Sequence, residues 1–266
     1  MKINYQETMA DLLARIKIHN QYGNRDIDTW MLELLHLQPG LKILDVACGS
    51  GKQCMSFYNE LKGQCEIIGG DVSVELMEKA KQEISAKDYK IDIQTLDFNK
   101  RFPFEDNQFD LLSCCFGIYY AEDIPFTIRE MHRVLKPGGR SFTTGPMPQN
   151  KQTFYDIIKE ATSKVIPPMP GSSRYGSAIL DSMKSTFSQV DVNIFENPLT
   201  FESAEPFLAY TSASLSEDRK LWGDFFTGDE SFKEIMKAIT TVAEAWIKRD
   251  GKIVMTKVVG GFVATK

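Results

Sequence analysis

The sequence predicts an α/β fold, a mostly parallel sheet with helices on both faces. Three observations predict it. Ile43, Leu44 and Val46 form a buried-strand run that enters a turn of small residues, Ala47-Cys-Gly49-Ser-Gly51. Cys54, Phe57, Tyr58 and Leu61 then recur at helical spacing, completing a strand–turn–helix unit. A second apolar run, Cys65 to Asp71, ends on an acidic residue 20 positions after Gly51 (71 − 51). Glycines at the head of a helix let the backbone approach a polar ligand group. A carboxylate at the tip of strand two accepts hydrogen bonds from ribose hydroxyls. A nucleoside-containing cofactor is therefore expected.

Composition bounds what that cofactor serves. The chain has 266 residues, enough for one sizeable core plus a cap. Its 31 basic and 36 acidic residues give a net charge of −5, and no long basic block occurs. That balance argues against capture of nucleic acid. No apolar run reaches the ~18–20 residues of a membrane span. The opening residues, Met1-Lys-Ile-Asn-Tyr-Gln-Glu, lack an apolar signal core, so a cytoplasmic location is expected. The five cysteines are odd in number and form no C-x-x-C pair, which predicts reduced thiols and no metal site.

The remaining elements follow in order. Met9, Leu12, Leu13 and Ile16 space a helix over 5–22, and a second runs from about Asp28 to Leu37. His36 near its end suits a helix C-terminus. Ser73 is placed to cap a helix over Val74–Ser85. Ile91 to Phe98 alternates as a third strand, and Phe109 opens a fourth. A helix through Ile128 ends at Lys136, because Pro137 cannot continue it, and Gly138-Gly139 turn into a fifth strand, Arg140–Thr144. Prolines 146, 148, 167, 168 and 170 punctuate a cap-like region containing one helix, Thr153–Val165. Phe187–Glu196 and Lys252–Thr265 read as the last two strands. Between them, Glu202–Asp250 holds helices rich in aromatic residues, among them Phe207, Tyr210, Trp222, Phe225 and Trp246. That is more than a connection needs, and it predicts a cap over a substrate pocket or a homodimer contact.

Several strings resemble one family. Asp45, Ala47, Gly49 and Gly51 match the D-x-[GA]-x-G-x-G motif of class I S-adenosylmethionine (SAM) methyltransferases. Asp71-Val-Ser-Val-Glu-Leu-Met77 resembles that family's D-x-S-x-x-M-[LM], with Leu76 where Met is usual. Phe102-Pro-Phe-Glu-Asp-Asn-Gln-Phe109-Asp110 resembles its L-P-F-x-D-x-x-F-D, and Arg133-Val-Leu-Lys-Pro-Gly-Gly139 is its R-V-L-K-P-G-G. The resemblance spans residues 39–145, with the motifs in family order. It implies a Rossmann-like seven-stranded sheet, strand seven antiparallel, in a single domain. That domain would comprise lid helices (1–38), a SAM-binding core (39–145) and cap insertions (146–186 and 202–250). It also implies SAM as cofactor and S-adenosylhomocysteine as product.

The resemblance assigns cofactor contacts to Asp45, Ala47, Gly49, Gly51, Gln53, Asp71, Val72, Leu76, Asp97, Phe98, Cys114 and Cys115. Asp71 would bind ribose, and Asp97-Phe98 the adenine. His19 on the lid helix and Tyr119 and Tyr120 after strand four, where the family carries a His pair, are the candidate catalytic residues. A small metabolite accepting the methyl on O, N or C suits the aromatic cap. Amino methylation through a [DNS]-P-P-[YFW] motif is disfavoured, since Cys114-Cys-Phe-Gly117 stands at that place. Arsenite methylation is disfavoured because Phe116 stands where the second cysteine is needed. Two rivals remain: an NAD(P)-dependent oxidoreductase, opposed by Cys54 in the third-glycine position, and a SAM-binding regulator without activity.

Overall fold

The central strands follow from unbroken apolar runs. In the computed structural model, which describes residues 9–166, 170–218 and 229–266, Ile43 to Val46 of β1 (Leu41–Val46) are all buried. So are Leu111 to Cys114 of β4 (Phe109–Cys115). Both strands are covered on two faces, which is why they read as continuous apolar stretches. They join β2 (Cys65–Asp71), β3 (Ile91–Thr95), β5 (Leu135–Pro146), β6 (Gln189–Phe201) and β7 (Ile253–Thr265) in one sheet of order 3-2-1-4-5-7-6. β1 to β5 run parallel, and β7 lies antiparallel to both β5 and β6.

Helices cover both faces. On one lie α2 (Ile27–Leu35), α3 (Lys52–Glu60) and α4 (Val74–Ala86). Trp30, Met31, Phe57, Met77 and Ile84 pack there with Ile43, Ile67, Val259 and Val263. Local chemistry starts these helices: Asp26 caps α2 by accepting from the Thr29 N–H at 2.6 Å, and Ser73 caps α4 through Leu76. On the other face α5 (Ile124–Val134) begins at Asp123, whose carboxylate accepts from the Phe126 N–H, and buries Ile128, Met131 and Val134.

The boundary after α5 differs from the sequence expectation. The helix stops at Val134, two residues early, and β5 already starts at Leu135, with a register shift between Phe109 and Leu111 in its partner β4. Side chains on both sides fix this corner. Arg133 donates to Glu130, to Asp106 and to the carbonyls of Phe102 and Phe104, while Glu130 accepts from the Phe102 N–H. Lys136 donates to both oxygens of Asp110, one of which also accepts from the Lys42 N–H on β1. The R-V-L-K-P-G-G string is thus an architectural clamp on the loop leading into β4.

The region 146–186 divides in two. α6 (Gln152–Thr162) joins α1 (Met9–Tyr22), α9 (Ala204–Asp218) and α10 (Asp229–Asp250) around a third core with Phe154, Phe201, Phe207, Tyr210 and Met255. The helical stretch α7 (Pro170–Arg174), a π turn (Tyr175–Ile179) and α8 (Leu180–Thr186) instead packs on the sheet face beside α5. Its prolines and glycines read as cap punctuation in the sequence. Residues 167–169 lie outside the described residues, as do Trp222, Phe225 and Phe226. The third core sits on an extension of the sheet: β7 pairs with β5 only as far as Val259 opposite Pro146, and Ile253 to Val258 continue beyond the carboxyl end of β5, paired with β6 alone.

Candidate functional site

The glycine turn is built from alternating left-handed residues. Ala47 (φ 57°), Gly49 (φ 54°) and Gly51 (φ 74°) all have positive φ. This conformation favours glycine and disfavours larger side chains, which is why small residues recur at every second position. At Gly51 a Cβ would also come within 3.1 Å of the Ala80 Cβ on α4. The Gly51 N–H donates to the Cys48 carbonyl, and the Cys48 N–H to the Gly70 carbonyl at the end of β2. Asp71 locks turn and strand together. Its two oxygens accept from the Gly49 and Ser73 N–H groups, each at 2.8 Å. A carboxylate offers about four lone-pair sites, so each oxygen keeps capacity for a further donor.

Around this unit the predicted residues separate. Leu76 lies beside the turn, 3.9 Å from where a Gly49 Cβ would stand, and Val72 is exposed. The Gln53 Nε2 is buried and has no hydrogen-bond partner among the described residues. Asp97 accepts from the Asn99 N–H and pairs with Lys100 at 3.2 Å. Burial pushes its carboxyl up, but Asn99 and Lys100 outweigh that and hold it below the usual range. Phe98 is half-buried, and its carbonyl accepts from the Thr127 hydroxyl. Cys115 lies half-buried at the end of β4.

Three predicted roles need correction. Asp45 is 1% exposed, and its oxygens are taken by the Ser113 hydroxyl and the Cys54 thiol, so it props β1, β4 and α3 rather than meeting a ligand. Cys114 has no exposed surface, and burial raises its thiol. His19 is an unsuitable base. Burial, then the charges of Lys257, Arg15 and Lys151, lower its pKa to about 2, and a base so weak takes protons poorly at neutral pH. Nor is it grouped with the tyrosines. His19 packs against Tyr210 at 5.7 Å in the third core, whereas Tyr119 and Tyr120 pack tilted against each other at 4.7 Å in the α5-side core.

Phe116 escaped the sequence reading. It follows β4 with φ 56°, exposed, its N–H held by the Thr144 carbonyl of β5. Gly117 next to it passes so close to β1 that a Cβ would stand 2.6 Å from the Ala47 Cβ. The carboxyl ends of β1 and β4 therefore meet at the glycine turn, where open α/β sheets bind ligands. A lone glycine after two cysteines and a phenylalanine was the only signal.

Asp45 supplies a pH test. Burial holds it at about 6, above its ordinary 3.8, against the pull of Ser113 and Cys54. The folded state thus favours the protonated acid. Its stabilising contribution is complete below about pH 4 and is lost as pH rises through about 6, where ionisation costs up to ~3 kcal/mol. Asp45→Asn carries no such charge. Its stability relative to wild type should climb by about that amount between pH 4 and pH 8 in urea unfolding; parallel pH profiles would contradict the buried-acid assignment.

The sheet order differs from that of a dinucleotide-binding fold. A dinucleotide fold runs 3-2-1-4-5-6, all parallel, whereas here an antiparallel β7 is inserted between β5 and β6. The comparisons agree. A family described as "Methyltransferase domain" matches residues 43–139, and the chain is similar to class I SAM-dependent methyltransferases. It is 28% identical to the 2-phytyl-1,4-naphtoquinone methyltransferase of Nostoc sp. over 180 residues, 66% of this chain and 75% of that one. It is 37% identical to the demethylmenaquinone methyltransferase of Symbiobacterium thermophilum over 107 residues, 40% of this chain and 42% of that one, less than half its length. The fold matches the YcgJ protein of Bacillus subtilis with a TM-score of 0.59 at 17% identity, covering 90% of this chain and 97% of that one. It also matches phosphoethanolamine N-methyltransferase 2 of Haemonchus contortus, whose structure holds S-adenosylhomocysteine (TM-score 0.54, 17% identity, 96% and 57% covered). These likenesses support SAM-dependent methylation of a small molecule. Among the described residues no helix is long and apolar enough to cross a membrane.

Proposed function

We propose that this methyltransferase seats SAM across the carboxyl ends of β1, β2 and β3 and a small metabolite above β4 and β5. One observation carries the reading: the Asp71 carboxylate at the tip of β2 is hydrogen-bonded to the glycine turn and keeps capacity for two ribose hydroxyls. The residues present fit the cofactor. Gly49 leaves its would-be Cβ position open except toward Leu76, so backbone can meet the amino-acid end of SAM, and the orphaned Gln53 amide is a donor for its carboxylate. Asp97 can accept from the adenine amine while Phe98 packs on the ring. Ala47, Val72, Leu76 and Cys115 would contact the same cofactor, with Gly51 holding the turn against α4. When bound, SAM supplies a sulfonium-activated methyl group.

The chain's own task is then position and exclusion of water. Phe116, held in a left-handed conformation at the end of β4, and the half-buried Tyr120 form the aromatic wall over the transfer line. Tyr119 stands behind Tyr120, its carbonyl accepting from Arg174. With His19 only weakly basic, the lid helix offers no histidine base for the transfer. That favours an acceptor whose nucleophile is already deprotonated, or whose proton leaves to solvent. The test is calorimetric titration of the protein with SAM, S-adenosylhomocysteine and NAD in parallel, followed by assay of S-adenosylhomocysteine formation with candidate acceptors. Micromolar binding of both adenosyl ligands and none of NAD is expected; binding of NAD alone would overturn the reading.

A further inference from the structure

The sheet ends on β6, and half of that outer edge is open. The backbone of β7 shows which groups of β6 point outward. The Val258 and Thr256 carbonyls accept from the Met147 and Lys151 N–H groups, which follow β5, so the even-numbered residues of β7 direct their bonds away from β6. The odd-numbered ones bond β6, and Val259 stands opposite Phe195. In β6 too, therefore, the odd residues bond inward and the even ones outward. At the far end this edge is closed. The Glu196 carbonyl accepts from the Arg25 Nη1 at 3.0 Å, and Pro198 has no N–H to offer. From Val190 to Ile194 no hydrogen bond covers the outward groups among the described residues.

An open edge is a template for another strand, which Lys or Pro on the edge normally prevents. Neither stands between Val190 and Ile194. Instead Val192 is 44% and Ile194 40% exposed, in line with the half-buried Val190 on the α5 side of the sheet. Such β-branched residues suit strand pairing. The other side carries Gln189, Asp191 and Asn193, then Phe195, over whose ring the Arg25 guanidinium lies at 4.6 Å. Asp191 is exposed and accepts only from its neighbour Gln189, and Arg25 donates only to the Glu196 carbonyl. Neither has an ion-pair partner among the described residues.

This edge is complementary to itself. We infer that β6 pairs antiparallel with β6 of a second copy of this chain, about a two-fold axis at Val192. That register sets Val192 against the partner's Val192 and Val190 against the partner's Ile194. Each pair exchanges both N–H···O bonds, so every open group is used. An axis at Asn193 would place Val190 opposite the partner's Glu196, whose carbonyl Arg25 already holds. An axis at Asp191 would set two carboxylates face to face. With the axis at Val192, the apolar residues of both copies form one stripe on the α5 side. On the other side Asp191 faces the partner's Asn193 and lies diagonal to the partner's Phe195. Diagonal neighbours are about 7–8 Å apart, within reach of the arginine stacked on that ring. Two Arg25–Asp191 ion pairs then form across the axis, and each copy supplies the charge that the other lacks. The arrangement leaves the methyl-transfer site open, because β6 lies three strand spacings, about 14 Å, from β4.

The contact is small, so a dissociation constant of roughly 10 µM is expected. Sedimentation equilibrium of the wild-type chain from about 1 to about 200 µM should show monomer passing into dimer. Val192→Lys sets like charges together at the axis and should weaken the dimer at least about tenfold. Asp191→Arg should weaken it about fivefold, and combining it with Arg25→Glu should recover most of that loss. Val192 and Asp191 are exposed, so the far-ultraviolet circular dichroism of their variants should match wild type. A chain that stays monomeric over the whole range overturns the inference and leaves the edge to a strand of some other protein. A dimer that Val192→Lys leaves intact overturns it too, since the contact then lies elsewhere.

Discussion

Asp71→Ala should weaken SAM binding by two orders of magnitude or more. Two losses combine. The ribose loses its acceptor, and charge-assisted or bidentate hydrogen bonds of this kind contribute about 1.5–3 kcal/mol each. The turn also loses the carboxylate that accepts from the Gly49 and Ser73 N–H groups, leaving backbone bonds such as Gly51 N–H to the Cys48 carbonyl and Cys48 N–H to the Gly70 carbonyl to hold the left-handed turn. Asp71→Asn separates the two effects. An asparagine oxygen can still accept from one backbone N–H, but the amide cannot match a carboxylate toward two hydroxyls. A loss of about tenfold is therefore expected for Asn and about a hundredfold or more for Ala. Asp71 is partly exposed at a strand tip, so the fold should survive both changes. Calorimetry against S-adenosylhomocysteine, with far-ultraviolet circular dichroism as the folding control, reads the result. An alanine variant that folds and binds as tightly as wild type would remove Asp71 from the site.

The sequence made one half of this molecule legible and hid the other for physical reasons. β1, the glycine turn, β2 and its terminal Asp71 are local: period, small residues and one carboxylate at a fixed offset carry them. The caps at Asp26 and Ser73 follow from side chains that reach their own helix. What could not be read depends on the third dimension. Asp45 looks like a ligand-facing acid until Ser113, 68 residues away, and Cys54 take its oxygens. His19 looks like a base until burial, together with the charges of Lys257 and Lys151 from distant segments and of Arg15 on its own helix, lowers its pKa. The 170–186 stretch, broken by Pro170, Gly171 and Gly176, carries a weak helical pattern, and only its burial against β5 and α5 explains why it is helical. Propensity is a weak prior that tertiary packing overrides.

That last stretch gives the other large expected effect. Tyr175→Ala should destabilise the fold by about 3–5 kcal/mol, the range for emptying a large aromatic from a core. Tyr175 has no exposed surface and stacks on Phe262 of β7 at 4.5 Å and 11°. Its ring fills a slot that two glycines create: a Cβ on Gly145 would stand 2.5 Å from it, and one on Gly260 2.9 Å. The slot explains glycines paired across β5 and β7 in otherwise unbroken strands. The hydroxyl donates to the Thr143 carbonyl at 2.8 Å and shares a bond with the Thr143 hydroxyl. Tyr175→Phe keeps the ring and loses those contacts, so it should cost only about 1–2 kcal/mol. The difference between the two variants measures the packing of the ring. It bears on function because Gly145 lies one residue after Thr144, whose carbonyl holds Phe116 at the mouth of the site. If residues 170–186 were a loosely seated cap, the alanine variant would unfold in urea near the wild-type midpoint. If they are a layer of the sheet, its midpoint should fall sharply, and the phenylalanine variant should bind SAM as wild type does.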